Sequence, residues 1–500
     1  MQTPVHDEPE IIVIDTPSGQ VRGAVQVPVG SSAHVATFKG IPFAKAPVGS
    51  LLFQAPEPVD PWTGVLDALD FGPTAQRGDP GVTLIPEPSI PGDSTLNVNV
   101  VTPAAGDQDA KLPVLVWIHG GGYFAGSPAS PWYSSPAFAR DGVVTVVISY
   151  RLGFDGFGHI PGAPSNRGIR DWLLALKWVQ NYVSSFGGDP DNVTIAGQSA
   201  GGGAVLTLLG MPAARGLFNK AIALSSAVGL VSAERAVELS QKIATAGGIT
   251  CDLAGFSSLP EEQLLKLQKE ATDVASAKAM MKMMDDGLAM GPTLDGDLLT
   301  SQTLDSLTAS EKTDVPLLIN ANDDEFGMAF ADAPGFMKFI PAGFMLTKMG
   351  APRKVRREWL TANHDARSRG TASVLGRYIS DKFFKVGVAE TLQSRADAPT
   401  WVSRFSWRSP IFDASVHCLD VPFFFDCLDS EKVAPLAGEN PPQDLADFVH
   451  GAALSFIKTG EPGWAQFGAQ KTTMVVDMPK PAILHDGYKS VAALVAAKAK

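Results

Sequence analysis

The sequence predicts an α/β fold organised around a mostly parallel, doubly wound central sheet. Two observations carry that expectation. Short apolar runs alternate along the chain with glycine-marked turns and segments of helical periodicity, the order expected of a parallel sheet with helices on both faces. Residues of matched chemistry are also scattered from Gly121 to His417, so one unit must gather them, and residues 1–500 read as a single domain.

Taken in order, Ile11-Ile12-Val13-Ile14, Gly19 and Val21-Arg22-Gly23 predict a small N-terminal antiparallel sheet at the entrance. Leu112-Pro113-Val114-Leu115-Val116-Trp117-Ile118 is a strand that runs into glycines at 120–122. Val143-Val144-Thr145-Val146-Val147-Ile148-Ser149 is almost wholly apolar, as a strand covered on both faces must be. Between 170 and 186 the apolar residues Trp172, Leu173, Leu176, Val179 and Val183 keep helical spacing, and Phe186-Gly187-Gly188-Asp189-Pro190 stops that helix. Strand Val193-Thr194-Ile195-Ala196 follows, then a helix beginning after Ser199. Ala221-Ile222-Ala223-Leu224 and Val315-Pro316-Leu317-Leu318-Ile319 are further central strands. The stretches at about 230–300 and 326–398 read as helical insertions capping the sheet.

Composition narrows the function. A formal net charge of −12 argues against nucleic acid, whose binding requires a positive face. The basic run Arg353-Lys354-Val355-Arg356-Arg357 reads as a solvated helix face. Three cysteines, Cys251, Cys418 and Cys427, are too few and too scattered for a disulfide framework or a zinc site. The N-terminus lacks a signal-peptide layout, and no apolar run has the length of a membrane span. The expectation is a cytoplasmic protein (secreted or periplasmic if a signal has been removed) that binds neither nucleic acid nor membrane, as a monomer or small homo-oligomer.

Gly197-Gln198-Ser199-Ala200-Gly201 is a G-x-S-x-G pentapeptide. Such a pattern arises by chance roughly 0.3 times in a chain of this glycine content, so the weight lies on its context: a strand before it and a small-residue helix after it. That arrangement lifts a serine hydroxyl above the sheet, with glycines removing the Cβ atoms that would collide. The helix N-terminus adds positive partial charge where an oxyanion forms. Ser199 is therefore the candidate nucleophile. His119-Gly120-Gly121-Gly122-Tyr123 ends an earlier strand and lacks the Lys-Ser/Thr of a phosphate loop. The amides of Gly121, Gly122 and Ala200 are the candidate oxyanion donors, and His119 is a structural residue bonded to backbone.

Serine needs a base. In folds with this elbow the acid and then the histidine follow the serine in sequence, which leaves His364, His417, His450 and His485. His417 is best placed, on a loop after the strand-like Trp401-Val402-Ser403-Arg404-Phe405-Ser406-Trp407. His364 and His450 fall on helices as surface or packing residues. For the acid, Asp323, Asp324 and Glu325 follow the strand at 315–319, and the residues alone do not choose among them.

Together these motifs resemble the type-B carboxylesterase family, which includes cholinesterases and bacterial p-nitrobenzyl esterases. The resemblance includes Phe38-Lys39-Gly40-Ile41-Pro42-Phe43-Ala44, Pro47-Val48-Gly49, Tyr150-Arg151-Leu152-Gly153, residues 186–194 and Gly291-Pro292-Thr293-Leu294-Asp295-Gly296. It implies an α/β-hydrolase fold and hydrolysis of small-molecule carboxylic esters through an acyl-enzyme, without cofactor or metal. It makes Glu325 the orienting carboxylate, matches His417 to the family histidine, and gives Ser225 a supporting place near the triad. Carbamate or amide cleavage by the same groups is the alternative, and a non-catalytic binding module the remote one. The chain departs from the family at Gln198 (usually Glu), Phe326 (usually Gly) and Cys418 (commonly Gly). It also departs at Asp93-Ser94-Thr95, where an early disulfide is lost and Asp93 is expected to pair with Arg151.

A histidine base implies activity falling below roughly pH 6–7. Met280, Met281, Met283, Met284, Phe326, Met328, Phe330, Phe336, Met337, Phe339, Phe344 and Met345 fit either a broad apolar pocket for bulky or aromatic esters or helix core.

Overall fold

The structure is a computed structural model, and it describes residues 10–28, 31–78, 83–272, 287–309, 314–331, 333–395 and 398–498. Among these, thirteen strands form one sheet. They are β1 (Glu10–Thr16), β2 (Gly19–Gln26), β3 (Val35–Pro42), β4 (Val65–Asp67), β5 (Asn97–Thr102), β6 (Leu112–Ile118) and β7 (Val144–Ile148). After these come β8 (Gly188–Gln198), β9 (Lys220–Leu224), β10 (Leu317–Asn322), β11 (Thr400–Phe405), β12 (Thr472–Val476) and β13 (Ala482–His485). The spatial order is β1-β2-β3-β5-β7-β6-β8-β9-β10-β11-β12-β13, with β4 alongside β2. From β7 to β12 every neighbouring pair is parallel. The small antiparallel sheet expected near the N-terminus is β1–β3, and it continues edge to edge into the central sheet through β5.

The unbroken apolar runs follow from burial on both faces. In β6, Val114, Val116 and Ile118 point into one core with Trp172, Leu176 and Val179 of α1 (Arg167–Tyr182) and with α2 (Ala200–Gly210). Leu115 and Trp117 point the other way, into a second core with Phe424, Phe425, Leu445 and Phe456. Alternate residues of a strand face opposite sides, so both sets must be apolar. Helices α3 (Thr371–Ser380) and α4 (Val386–Ser394), joined by a π-helical turn over Asp381–Lys385, belong to the insertion between β10 and β11. Further on, α5 (Gln443–Thr459) covers the second core.

Helix α1 begins earlier than periodicity indicates because Arg167, fully buried, donates to the carbonyls of Phe154, Asp155, Gly158 and Pro164. All three cysteines are free. The basic run lies on the helix Arg353–Ala362, with Arg353, Lys354 and Arg357 exposed. Among the described residues, no helix is long and apolar enough to cross a membrane.

One expectation fails. Arg151 does not pair with Asp93, which is exposed. Its guanidinium instead grips Asp171 of α1 at 2.7 and 2.9 Å and donates to the Gln54 carbonyl at 2.7 Å. Both partners are buried (1% and 0% exposed), and a carboxylate already inside the core satisfies a buried cation better than one that would have to leave water. Breaking a buried pair leaves an uncompensated charge, so Asp171→Ala is expected to cost about 3–5 kcal/mol. Asp93→Ala should stay within about 0.5 kcal/mol. Urea unfolding of the two variants distinguishes them.

Candidate active site

At the junction of β8 and α2 the chain turns so sharply that Ser199 adopts φ 60° and ψ −120°, a conformation that side chains rarely tolerate. Backbone bonds on both sides hold it: Ser199 N–H donates to Leu224 O at 2.9 Å, and Ser199 O accepts from Gly203 and Ala227 at 2.9 and 3.0 Å. The turn also needs its flanking glycines. A Cβ on Gly197 would lie 2.5 Å from the Gly201 backbone, and one on Gly201 would lie 2.0 Å from Ile118 O. Helix α2 thus crosses directly over the end of β6, with its N-terminal amides beneath the serine.

The three carboxylates after β10 have different partners. Asp323 is bound by Arg404 and Lys385, and Asp324 by Arg377 and Arg369. Glu325, fully buried, faces the imidazole: its Oε2 lies 2.6 Å from His417 Nδ1, and its Oε1 accepts from Asn322 N–H at 2.8 Å. A backbone bond from His417 N–H to Glu325 O at 2.9 Å ties the two loops again. Asn322 also donates through Nδ2 to Val416 O at 2.8 Å and to Asp420 at 3.3 Å. Burial, and next the charge of Glu325, push the buried Asp420 carboxyl up to about 6.

Burial alone would lower the pKa of His417, but neighbouring Cys418 and Glu325 raise it well above the ordinary value. Burial keeps the Cys418 thiol protonated by pushing its own pKa up, so at neutral pH it is the Glu325 carboxylate that favours the imidazolium.

The glycine loop after β6 has its own constraint. Gly121 sits at φ 100°, and a Cβ there would lie 2.1 Å from Ala125 O. Gly122 is likewise left-handed, at φ 62°. Among the described residues, the amides of Gly121, Gly122 and Ala200 donate to no other group. His119 bonds through Nδ1 to Gly120 O at 2.9 Å and stacks on Tyr150; burial drops its pKa to about 4, so it stays neutral.

The structure thus brings Glu325 and His417 into contact and sets Gln198, the neighbour of Ser199 on the elbow, against His417. No hydrogen bond joins Ser199 Oγ to His417 among the described residues; the Gln198 amide Nε2 lies 3.2 Å from His417 Nε2 and 3.5 Å from Nδ1, against the face of the ring. Ser225, at φ 44° just after β9, donates its N–H to Asn320. Its buried hydroxyl has no partner among the described residues, so it supports the site through backbone only. Phe384 of the π-helical turn, which sequence reasoning missed, stacks on the His417 ring with centroids 4.8 Å apart, and Phe326 stacks on Phe384 in turn. Nothing in the local pattern marks Phe384, whereas Asn322 directly precedes the run of carboxylates that the sequence singles out.

Of the candidate pocket residues, Phe326 reaches this aromatic group. Met328 packs on one core, and Phe330, Met337 and Met345 pack on the other. Phe336, Phe339 and Phe344 are exposed, and Met280, Met281, Met283 and Met284 lie outside the described residues. Residues 10–482 match the family model described as the carboxylesterase family. The para-nitrobenzyl esterase of Bacillus subtilis is 32% identical over 93% of this chain and 94% of its own length. A carboxylesterase structure from Geobacillus stearothermophilus superposes with TM-score 0.81 at 32% identity, covering 96% of this chain and 99% of that one. A PNB esterase structure gives TM-score 0.81 at 29% identity, over 97% and 99% of the two chains.

Because Glu325 stabilises the charged ring, the His417 imidazole should titrate above pH 6.5, and Glu325→Gln should bring that titration down by at least about one unit. NMR of the imidazole protons against pH reads both.

Proposed function

This chain belongs to the carboxylesterase family and is a carboxylic ester hydrolase, and on that premise we propose that Ser199, His417 and Glu325 perform the hydrolysis, with Gly121, Gly122 and Ala200 forming the oxyanion hole. The 2.6 Å pair between Glu325 and His417, with the strained serine following Gln198, whose amide lies against the His417 ring, carries this reading. With Nδ1–H given to Glu325, the Nε2 lone pair of His417 takes the Ser199 proton as Oγ attacks the ester carbonyl. The carbonyl oxygen becomes an oxyanion held by the three amides. Collapse of the tetrahedral intermediate breaks the C–O bond, and His417 returns the proton to the departing alcohol. Water, deprotonated by His417, then attacks the acyl-enzyme and releases the acid and Ser199. Glu325 holds the tautomer and offsets the imidazolium charge. The Ser199–His417 hydrogen bond forms on substrate binding, as catalytic hydrogen bonds commonly close only in the complex.

The donors come from the ends of β6, β8 and β10 and from the loop after β11, all in one sheet, so the chain acts as one catalytic domain. The Phe326–Phe384 stack over His417 favours esters with an apolar or aromatic group on that side.

With p-nitrophenyl esters from acetate to octanoate, Ser199→Ala should lose about 10⁴–10⁶-fold in kcat. Wild-type turnover that survives this change would overturn the assignment. Phe326→Ala should lower kcat/KM for the longer or aromatic esters by about tenfold while leaving acetate nearly unchanged. A uniform loss across the series would remove Phe326 from substrate recognition.

A further inference from the structure

Between β4 and β5 the chain makes a loop whose two limbs, 74–78 and 87–92, are tied by polar groups. Thr74 N–H gives to Ile90 O at 3.0 Å, and Thr74 Oγ1 accepts from Ile90 N–H at 2.9 Å. Arg77 donates to the carbonyls of Thr74 and Gly92. All three cysteines of the chain are free and none lies here, so no disulfide takes part. Gln76 sits between the limbs, 4% exposed. Its Nε2 donates to Glu87 O at 2.7 Å and to Ser89 Oγ at 3.3 Å, which fixes the plane of the amide. Its Oε1 leaves the loop altogether and accepts from Gly126 N–H at 2.7 Å.

That last bond reaches the glycine loop after β6. Gly121 is packed on the peptide that joins Ala125 to Gly126: a Cβ on Gly121 would lie 2.1 Å from Ala125 O and 2.8 Å from Gly126 N. Gly121 O in turn accepts from Ala125 N–H at 2.9 Å and Phe124 N–H at 3.2 Å. Gly126, at φ 112°, is pressed back on the start of the loop, for a Cβ there would lie 2.4 Å from both Gly120 O and His119 Nδ1. Turning the Ala125–Gly126 peptide would therefore turn Gly121. Two other bonds hold this loop but act elsewhere on it. Gly153 N–H gives to Tyr123 O at 2.7 Å, and Asn99 Nδ2 gives to Pro128 O at 2.9 Å. The bond to Gln76 sets the plane of the peptide behind Gly121.

We infer that Gln76 is a positioning residue for the oxyanion hole, holding the Gly121 amide on its aim through the Ala125–Gly126 peptide. The inference rests on Gly121 being an oxyanion donor, as proposed above. A buried N–H without an acceptor is costly, so removing the Gln76 carbonyl drives the Gly126 amide to another partner and swings the peptide that carries it. Oxyanion stabilisation requires donors already aimed when the charge appears. A loop displaced in this way loses that aim at Gly121, while the Glu325–His417 pair, on other segments, keeps its geometry.

The test sets Gln76→Met, Gln76→Asn and Gln76→Glu beside Ser199→Ala, reading kcat/KM for p-nitrophenyl butyrate and Ki for an alkyl trifluoromethyl ketone. In the ketone adduct Ser199 Oγ bonds to the carbonyl carbon, its proton passes to His417, and the carbonyl oxygen becomes an oxyanion in the hole. Gln76→Met, and Gln76→Asn, whose amide is drawn back by one methylene, should lower kcat/KM by about 10–100-fold and raise Ki by a similar factor, with KM within about twofold of wild-type. Gln76→Glu keeps an acceptor at the same reach and should lose less than either. A partly unfolded preparation loses turnover, but its folded fraction binds the ketone as wild-type does. An unchanged Ki in Gln76→Met and Gln76→Asn, whatever the fall in kcat, would therefore overturn the inference and leave Gln76 a fastening of its own loop. A loss in Gln76→Glu as large as in Gln76→Met would overturn it as well. Should Gln76→Met fail to fold, the Ki of Gln76→Asn decides. A Ser199→Ala enzyme with wild-type turnover would instead sink the site itself, a result separable from the others.

Discussion

The close crossing of α2 over the end of β6 is the constraint on which the rest of the site depends. With Gly201 set against the Ile118 carbonyl, the helix begins at once after Ser199. No relaxed backbone connects β8 to a helix in that position, so the serine takes a positive φ and its hydroxyl is thrust above the sheet. The same crossing puts the first amide of α2 opposite the glycine loop that follows β6, because β6 and β8 are direct neighbours in register, Ile118 beside Gly197. The proposed nucleophile and oxyanion donors are thus set by one sheet pairing and one steric contact.

A second constraint acts at the other end of the site. The three carboxylates after β10 would repel one another if left together, and the fold separates them by giving each a different partner. Arg404 of β11 and Lys385 of the π-helical turn take Asp323; Arg377 of α3 and Arg369 take Asp324. Lys385 also pairs with Asp381, which accepts from the Trp359 indole. The network contributes little net energy as a buried set of ions. Its effect is geometric: it fastens the helical insertion to the sheet and leaves Glu325 turned toward His417.

Much of the fold was legible because burial on both faces writes itself as uninterrupted apolar strands. The run at 143–149 yields β7, 221–224 falls within β9, and the elbow pentapeptide spans the end of β8 and the start of α2. What could not be read depends on partners distant in sequence. Arg167 looks like a solvent residue until four carbonyls converge on it. Arg151 finds Asp171 on the adjacent helix rather than Asp93, although family analogy pointed to Asp93. Asp323, Asp324 and Glu325 look alike by residue type; the family resemblance points to Glu325, and the cations brought up by α3, β11 and the π-helical turn give the physical difference. Phe384 had no signal at all, since its role comes from a turn that widens locally to lay a ring on His417.

The sheet order also bears on how the molecule matures. Glu325 and His417 follow β10 and β11, adjacent parallel strands whose pairing joins segments far apart in sequence, and β12 and β13 still have to be made when His417 emerges. Contacts of such long range form late and slowly. During synthesis the elbow at Ser199 can be in place while the histidine proposed to activate it does not yet exist. On the roles proposed for Ser199 and His417, a nascent chain is therefore inert as a nucleophile until β11 and the loop after it dock on β10, and the appearance of turnover doubles as a clock for that late step of folding.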